Sequence, residues 1–362
     1  MSWLMSKVST VFRTGVYTFS TAAALGLMAL YVKQDNLLYH PSIGEMSLSP
    51  GDNPHGYRSP ADMGIPFENL DIVCADGVHI HSWLLLHPDS LSAHRPTILF
   101  FHGNAGNIGY RLPNAQRMYK LGWNVLQVEY RGFGDSQNAD QSSGRYNKDA
   151  VPSEPGLKMD AEASLQAMLN HAQIDNSKLF LFGRSLGGAV AFHLAEHCRK
   201  TGVPLAGLIV ENTFTSIAGM VDVLMPLVAP LKGLILRIGW DSSQIVGGIS
   251  TPVLYMAGGR DELVPHAHMK ELHALSSKAS LKSELHIVPS GTHNDTWMRG
   301  GEEYWRVFAR FMQECAALEG AGAGEAVAVG VPMDGDTTGG GSADGAAIPI
   351  MKTFFFDSKK NE

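Results

Sequence analysis

Short apolar runs alternate with longer amphipathic stretches over most of the chain after residue 66. Runs with the length of buried β-strands lie at 97–101, 125–130, 178–182, 205–211, 252–257 and 284–288. Stretches with helical spacing lie at 113–121, 158–171, 187–200, 265–275 and 302–318. Buried strands that alternate with helices form a mostly parallel sheet with helices on both faces. We therefore predict an α/β domain over residues 67–318.

The first strands of this domain follow a different pattern. Residues 70–74 and 78–86 are rich in apolar side chains and flank a turn at Asp76-Gly77. Two such runs around an Asp-Gly pair predict an antiparallel hairpin. The sheet is therefore expected to begin with this hairpin and to continue with parallel strands.

An uncharged, mostly apolar stretch occupies residues 14–32, between Arg13 and Lys33. As a helix it would be about 28 Å long, close to the hydrocarbon thickness of a bilayer. Tyr17 and Tyr31 lie near its two ends, where the membrane interface favours aromatic side chains. This pattern predicts one membrane-spanning helix.

We interpret residues 1–33 as a single-pass membrane anchor. Lys7 and Arg13 precede the span and only Lys33 follows closely, which favours a type II orientation with a cytoplasmic N-terminus. A cleaved segment is the alternative: the alanines before Leu25 resemble a signal-peptidase site, and the lack of acidic residues resembles a transit peptide.

Four further segments depart from the alternation of strands and helices. Residues 34–66 are rich in Pro, Gly, Ser and Asp and predict a linker, and the polar residues 138–149 predict an inserted loop near the rim of the site. Residues 214–249 are rich in Leu and Met and are expected to form a small cap that lines an apolar acyl pocket. An ordinary packed helix pair is the alternative there. The glycine-rich residues 319–362 predict a disordered tail.

Composition narrows the classes of partner. The chain has 362 residues, of which 44% are hydrophobic, enough for a large core. Its net charge of −7 and its lack of a basic block exclude nucleic acid as a partner. Cys74, Cys198 and Cys315 are odd in number and far apart, so they predict neither a disulfide framework nor a metal pair. No metal and no cofactor is predicted, and no pattern indicates an oligomeric state.

The most informative motif is Gly183-Arg184-Ser185-Leu186-Gly187, which follows an apolar run and precedes a helical stretch. A G-x-S-x-G motif between a strand and a helix forms a sharp turn that exposes the serine hydroxyl at the carboxyl edge of the sheet. We predict Ser185 as the nucleophile. The amide of Leu186 would lie at a helix N-terminus and could stabilise an oxyanion. No role for Arg184 follows from the sequence.

A serine nucleophile needs a base to accept its proton and an acid to orient that base. In this type of sheet they follow the serine along the chain in the order acid, then histidine. Asp261 follows the penultimate apolar run in a glycine-containing turn, and His293 follows the last run in another. We assign them as acid and base. Glu211 and Asp295 are the alternative acids.

The second oxyanion donor is expected in the loop at residues 102–107, directly after the first parallel strand. Small residues there allow a backbone amide to approach the reacting carbonyl. Asn104 is the predicted donor beside Leu186. His102 is interpreted as a structural residue that holds this turn rather than as a base.

Five motifs together resemble those of a known family. They lie at residues 102–107, 130–136, 182–188, 210–214 and 291–297. The chain from about Leu37 to about Met312 resembles the bud-emergence-related (BEM-type) α/β hydrolases, a group that includes α/β-hydrolase domain-containing protein 13. The resemblance implies an α/β-hydrolase fold, a type II single-pass membrane protein and a serine hydrolase. It maps the triad onto Ser185, Asp261 and His293.

The sequence therefore predicts a membrane-anchored serine hydrolase. Its expected substrates are carboxylic esters or thioesters of apolar acyl groups, in small molecules, lipids or acylated proteins. A serine peptidase and a non-catalytic membrane scaffold are the alternatives.

Overall fold

An eight-stranded sheet organises the structure, a computed structural model that describes residues 2–88, 94–137 and 150–320. The strands are β1 (Phe67–Val73), β2 (His79–Leu85), β3 (Thr97–Phe101), β4 (Asn124–Val128), β5 (Leu179–Arg184), β6 (Gly207–Glu211), β7 (Val253–Gly258) and β8 (Ser283–Val288). Their order across the sheet is β1-β2-β4-β3-β5-β6-β7-β8. β1 and β2 pair antiparallel, β2 and β4 pair antiparallel, and every later pair is parallel. The predicted hairpin and parallel sheet are confirmed.

Helices cover both faces of this sheet. The α-helices of the described residues are α1 (Ser2–Val32), α2 (Gln34–Leu38), α3 (Leu112–Lys120), α4 (Glu154–Leu169), α5 (Leu186–Thr201), α6 (Ile217–Leu224), α7 (Lys232–Ile235), α8 (Ser242–Ile245), α9 (Ala267–Ser276), α10 (Thr296–Arg299) and α11 (Gly301–Gly320). Apolar side chains of α4, α5 and α9 share one buried cluster, and those of α3 and α11 share another. The sheet separates these two clusters.

The central strands are apolar along their whole length because both of their faces are covered. In β3, Leu99 and Phe101 point into the cluster of α4, α5 and α9, while Ile98 and Phe100 point into the other cluster. Successive side chains of a strand point to opposite faces, so a strand in the middle layer needs apolar residues at every position. This explains why these strands form continuous apolar runs in the sequence.

Helix α1 stands apart from the two clusters. Its part from Met5 to Val32 is long and apolar enough to cross a membrane, and its most apolar window is not buried by the rest of the protein. Tyr17 and Tyr31 are exposed near the ends of this stretch. The structure therefore contains one N-terminal helix that is a candidate membrane span.

Residues 34–66, predicted to be a linker, are packed against the sheet domain. Tyr39 is buried, and its hydroxyl accepts a hydrogen bond of 2.9 Å from Trp240 Nε1. Asn53 is fully buried and donates to Asn107 Oδ1 at 2.8 Å. Polar residues typical of linkers are here used for specific hydrogen bonds with distant parts of the chain. We call residues 34–66 the stalk.

The segment at 214–249, which we call the cap, contains α6, α7 and α8 and connects β6 to β7. Ile217 and Met220 of α6 pack against the buried cluster of α4, α5 and α9. Leu234 of α7 is 82% exposed, so it does not line an enclosed pocket. The insertion predicted at 138–149, and residues 321–362 of the predicted tail, lie outside the described residues.

Candidate active site

Ser185 lies in the sharp turn between β5 and α5. Its backbone has φ 53° and ψ −121°, a strained conformation for a residue with a side chain. The turn brings chain segments so close that glycines are required on both sides. A Cβ at Gly183 would lie 2.2 Å from the carbonyl oxygen of Gly187, and one at Gly187 would lie 2.1 Å from that of Phe101. The glycines of the motif therefore permit the close approach that supports the strained serine.

Hydrogen bonds connect the three side chains that the sequence singled out. His293 Nε2 lies 3.0 Å from Ser185 Oγ, and His293 Nδ1 lies 2.8 Å from Asp261 Oδ2. All three residues are buried. With the proton of the imidazole on Nδ1, Nε2 is free to accept the proton of the serine hydroxyl. The arrangement can thus generate a serine nucleophile.

The turn after β7 fixes the orientation of the Asp261 carboxylate. Its Oδ1 atom accepts hydrogen bonds from the backbone amides of Leu263, at 2.9 Å, and Val264, at 2.8 Å. These two bonds leave Oδ2 directed at His293. The carboxylate therefore cannot rotate away without losing two charge-assisted hydrogen bonds.

The two alternative acids have other partners. Glu211 accepts a hydrogen bond from Arg184 Nε and another from the Tyr304 hydroxyl, the latter at 2.6 Å. Asp295 accepts hydrogen bonds of 2.8 Å from both the amide and the hydroxyl of Thr292. Arg184, for which the sequence indicated no role, therefore pairs with a carboxylate at the end of the neighbouring strand. This buried pair holds the ends of β5 and β6 together beneath the serine turn.

Asn212 lies in the motif at 210–214, but the sequence indicated no role for it. It follows β6 with φ 49°, a left-handed conformation that Asn tolerates better than most residues. Its Nδ2 atom donates to the carbonyls of Thr292, at 3.2 Å, and His293, at 3.1 Å, and to the hydroxyl of Thr296, at 2.9 Å. Its Oδ1 atom accepts from the amide of Gly258 at 2.8 Å. Asn212 thus connects the histidine loop to the ends of β6 and β7.

The backbone amides of Leu186 and Asn104 are the two predicted donors of the oxyanion site. Leu186 is the first residue of α5, so its amide has no acceptor within the helix. The loop after β3 passes directly beside the serine, since a Cβ at Gly103 would lie 3.6 Å from Ser185 Cβ. Asn104 is the next residue of that loop. The structure therefore places both predicted residues on segments that adjoin Ser185.

The loop of Asn104 is held from outside by the stalk. The amide of His40 donates to the Asn104 carbonyl at 2.8 Å, and Asn104 Nδ2 donates to the Leu38 carbonyl at 2.9 Å. The amide of Gly106 donates to the His40 carbonyl at 3.0 Å. The carbonyl and the side chain of Asn104 are thereby oriented by residues that closely follow α1.

His102 is buried at the base of the same loop. Its Nδ1 atom lies 2.8 Å from the Gly103 carbonyl, and its own carbonyl accepts a hydrogen bond of 2.9 Å from the Tyr130 hydroxyl. Burial, reinforced by the charge of Arg111, lowers the pKa of His102 to about 3. The ring is therefore neutral at physiological pH and acts as a structural element of the turn. Across residues 2–88, 94–137 and 150–320, no group of three or more His, Cys, Asp or Glu side chains is arranged to hold a metal ion.

Comparison with known proteins identifies relatives that cover most of the chain. The α/β-hydrolase domain-containing protein WAV2 of Arabidopsis thaliana is 33% identical, over 86% of this chain and 97% of its own length. Protein bem46 of Schizosaccharomyces pombe is 34% identical, over 85% of this chain and 96% of its own length. An uncharacterized membrane protein of Saccharomyces cerevisiae is 32% identical, over 86% and 99%.

A family model and solved structures agree with the fold. The model described as serine aminopeptidase, S33, matches residues 92–239. The Pyrococcus furiosus esterase Pf2001 superposes with a TM-score of 0.56 at 16% identity, covering 76% of this chain and 98% of the esterase. The 2,6-dihydroxy-pseudo-oxynicotine hydrolase superposes with a TM-score of 0.54 at 16% identity, covering 72% of this chain and 71% of the hydrolase. At these identities the superpositions show the fold alone. From the sheet order and the extended similarity to WAV2 and bem46, the chain belongs to the BEM-type α/β hydrolases.

Proposed function

We propose that this α/β hydrolase is a membrane-anchored serine hydrolase that cleaves carboxylic esters or thioesters of apolar acyl groups. The observation that supports the proposal most directly is the continuous hydrogen-bonded series from Ser185 Oγ through the His293 ring to Asp261 Oδ2. A non-catalytic scaffold would have no need for a strained serine that is hydrogen-bonded to a histidine, which is in turn hydrogen-bonded to an oriented carboxylate.

The chemistry would proceed through an acyl-enzyme. His293 Nε2 takes the proton of Ser185 as Oγ attacks the acyl carbonyl, and the resulting oxyanion accepts hydrogen bonds from the amides of Leu186 and Asn104. The imidazolium, stabilised by Asp261, then protonates the leaving alcohol or thiol. Water, deprotonated by His293, attacks the acyl-enzyme, and the proton returns to Ser185 as the carboxylic acid leaves.

Membrane attachment through α1 is the second part of the proposal. The exposed apolar stretch from Met5 to Val32 and the relative described as a membrane protein support it. The type II orientation of the predicted anchor places the hydrolase domain on the side opposite the N-terminus.

A serine peptidase is the second candidate, favoured by the family match over residues 92–239. The same series of side chains can cleave amides, since only the leaving group differs. Hydrolysis of two substrate classes separates the two candidates. The ester proposal predicts hydrolysis of acyl esters and thioesters, and little cleavage of aminoacyl amides that release a chromogenic amine.

The decisive experiment labels the protein with a fluorophosphonate probe, which reacts with activated serines. We expect labelling of the wild type, none of Ser185→Ala, and normal thermal stability of the variant. Competition with acyl esters of increasing chain length should then show stronger protection by longer chains, because each buried methylene contributes about 0.8 kcal/mol. Labelling that persists in Ser185→Ala would show that a residue other than Ser185 is the nucleophile.

A further inference from the structure

The cap presents several large apolar side chains to the outside. Leu227 is 92% exposed and Leu234 is 82% exposed, and Val223 and Leu231 are also exposed. We call these four residues the apolar cap face. Isolated exposed leucines are common, but a group of them on one short segment is typical of a surface that contacts a membrane or another protein.

Two cationic residues beside this face form ion pairs. Lys232 of α7 forms a salt bridge with Asp222 of α6, which links these two helices. Arg237, just after α7, forms a salt bridge with Asp35 of the stalk. Paired charges lose less on approach to a low-dielectric phase than isolated ones. The surroundings of the face are therefore compatible with contact with lipid.

The cap is fixed beside the end of α1. Gln34 is buried, its Nε2 atom donates to the Ile235 carbonyl at 2.6 Å, and its Oε1 atom accepts from the Arg237 amide at 2.9 Å. Arg237 Nε also donates to the Tyr31 carbonyl at 3.2 Å. Tyr31 lies within the last turn of the apolar helix, which ends at Val32. If α1 spans a bilayer, these bonds hold α7 at the level of the membrane surface.

The same short stalk reaches the candidate active site. The carbonyl of Leu38 accepts the hydrogen bond from Asn104. Leu38 is six positions after Val32, and even an unbroken helix would carry it only about 9 Å further along. The ester carbonyls of membrane lipids lie near the water interface of a leaflet. The loop that would bind the oxyanion is thus held near the depth at which such carbonyls occur.

We propose that the apolar cap face inserts into the leaflet in which α1 ends, and that the hydrolase takes its acyl substrate directly from that leaflet. The second half of this statement rests on the proposed function, whereas the first does not. The bilayer is the favoured occupant of the face because the face is continuous with the end of a candidate membrane span through Gln34 and Arg237.

Fluorescence tests the insertion independently of activity. Full-length protein with Leu227→Cys or Leu234→Cys carries an environment-sensitive fluorophore and is reconstituted at one copy per phosphatidylcholine nanodisc. Leu281→Cys is the matched control, because Leu281 is 75% exposed but precedes β8, at the sheet edge opposite the candidate site. The native cysteines Cys74, Cys198 and Cys315 are buried.

We expect blue-shifted emission and quenching by doxyl-labelled lipid at positions 227 and 234, and neither at 281. Equal, weak quenching at all three positions would overturn the proposal. A blue shift at 227 and 234 that doxyl lipid does not quench would also overturn it, since a protein surface rather than lipid would then cover the face.

Activity tests the source of the substrate. The double variant Leu227→Asp/Leu234→Asp is compared with Leu281→Asp, using an acyl ester resident in vesicles and a short water-soluble ester. We expect the double variant to lose about tenfold or more on the vesicle substrate only, since burying each leucine favours insertion by about a factor of ten. Equal losses on both esters would refute the inference. If the wild type cleaves no ester at all, the proposed function fails while the fluorescence result on insertion still stands.

Discussion

Replacing Asp261 with Asn tests the orientation of the histidine. In the variant, Oδ1 can still accept the amides of Leu263 and Val264, so the turn after β7 is expected to persist. The Nδ2 group then replaces Oδ2 opposite His293 Nδ1, and two donors cannot face each other. The ring must place its proton on Nε2, where it faces Ser185 and cannot accept the hydroxyl proton.

The expected cost is a factor of about 10⁴ in kcat, or about 5.5 kcal/mol of transition-state stabilisation. Steady-state hydrolysis of a soluble acyl ester measures it, and thermal unfolding should show almost unchanged stability. Glu211→Gln is the matched control, because it removes the negative charge of the alternative acid, which pairs with Arg184 and not with His293. That variant should lose thermal stability by a few kcal/mol and retain most of its kcat per folded molecule. A loss below tenfold in Asp261→Asn, or a crippled but stable Glu211→Gln, would refute the reasoning.

Three further predictions concern the surroundings of the site. Asn212→Ala should lower kcat/KM about tenfold and lower the melting temperature, because the histidine loop loses its connection to β6 and β7. Asn212→Asp keeps the acceptor oxygen, so its melting temperature should lie between those of the wild type and Asn212→Ala. His102 is neutral in the folded state and has an ordinary pKa of 6.5 when unfolded, so protonation favours unfolding and stability should fall as the pH drops from 6.5 toward about 3, by up to about 1.4 kcal/mol per pH unit. The pH dependence of the melting temperature should be shallower in His102→Gln, and an unchanged slope would contradict the assigned burial. Deleting residues 2–32 should release the protein from carbonate-washed membranes with soluble-ester activity intact, whereas deleting residues 2–40 should also destabilise the loop of Asn104; equal activity in both deletions would contradict the structural role of the stalk.

The sequence predicted those parts of the molecule that depend on local pattern. The apolar run at 178–182 predicted β5. Gly183 and Gly187 predicted the turn at Ser185, because only glycine allows the backbone segments to approach so closely. The two later loops that present Asp261 and His293 were also recognisable, since each follows an apolar run of strand length and contains glycine. Strand periodicity and turn chemistry are properties of neighbouring residues, so a single sequence contains them.

Features that depend on distant partners were not predictable in this way. Arg184 and Glu211 meet because β5 and β6 are adjacent and parallel, a pairing that the residues themselves do not specify. The stalk resembled a linker in composition, yet Gln34 bonds to a carbonyl 201 positions away. Leu234 belongs to a helix of only four residues, whose orientation depends on what α7 packs against rather than on its own pattern.

The contact between Gln34 and Ile235 also has a consequence for biosynthesis. Gln34 leaves the ribosome long before its partner is made, and at about 5–20 residues per second the intervening 201 positions take about 10–40 s. During that interval the stalk has no cap to bind, and the loop of Asn104 is the first of its partners to emerge. In the proposed membrane-anchored protein, the cap therefore reaches the end of α1 only at a late stage of translation.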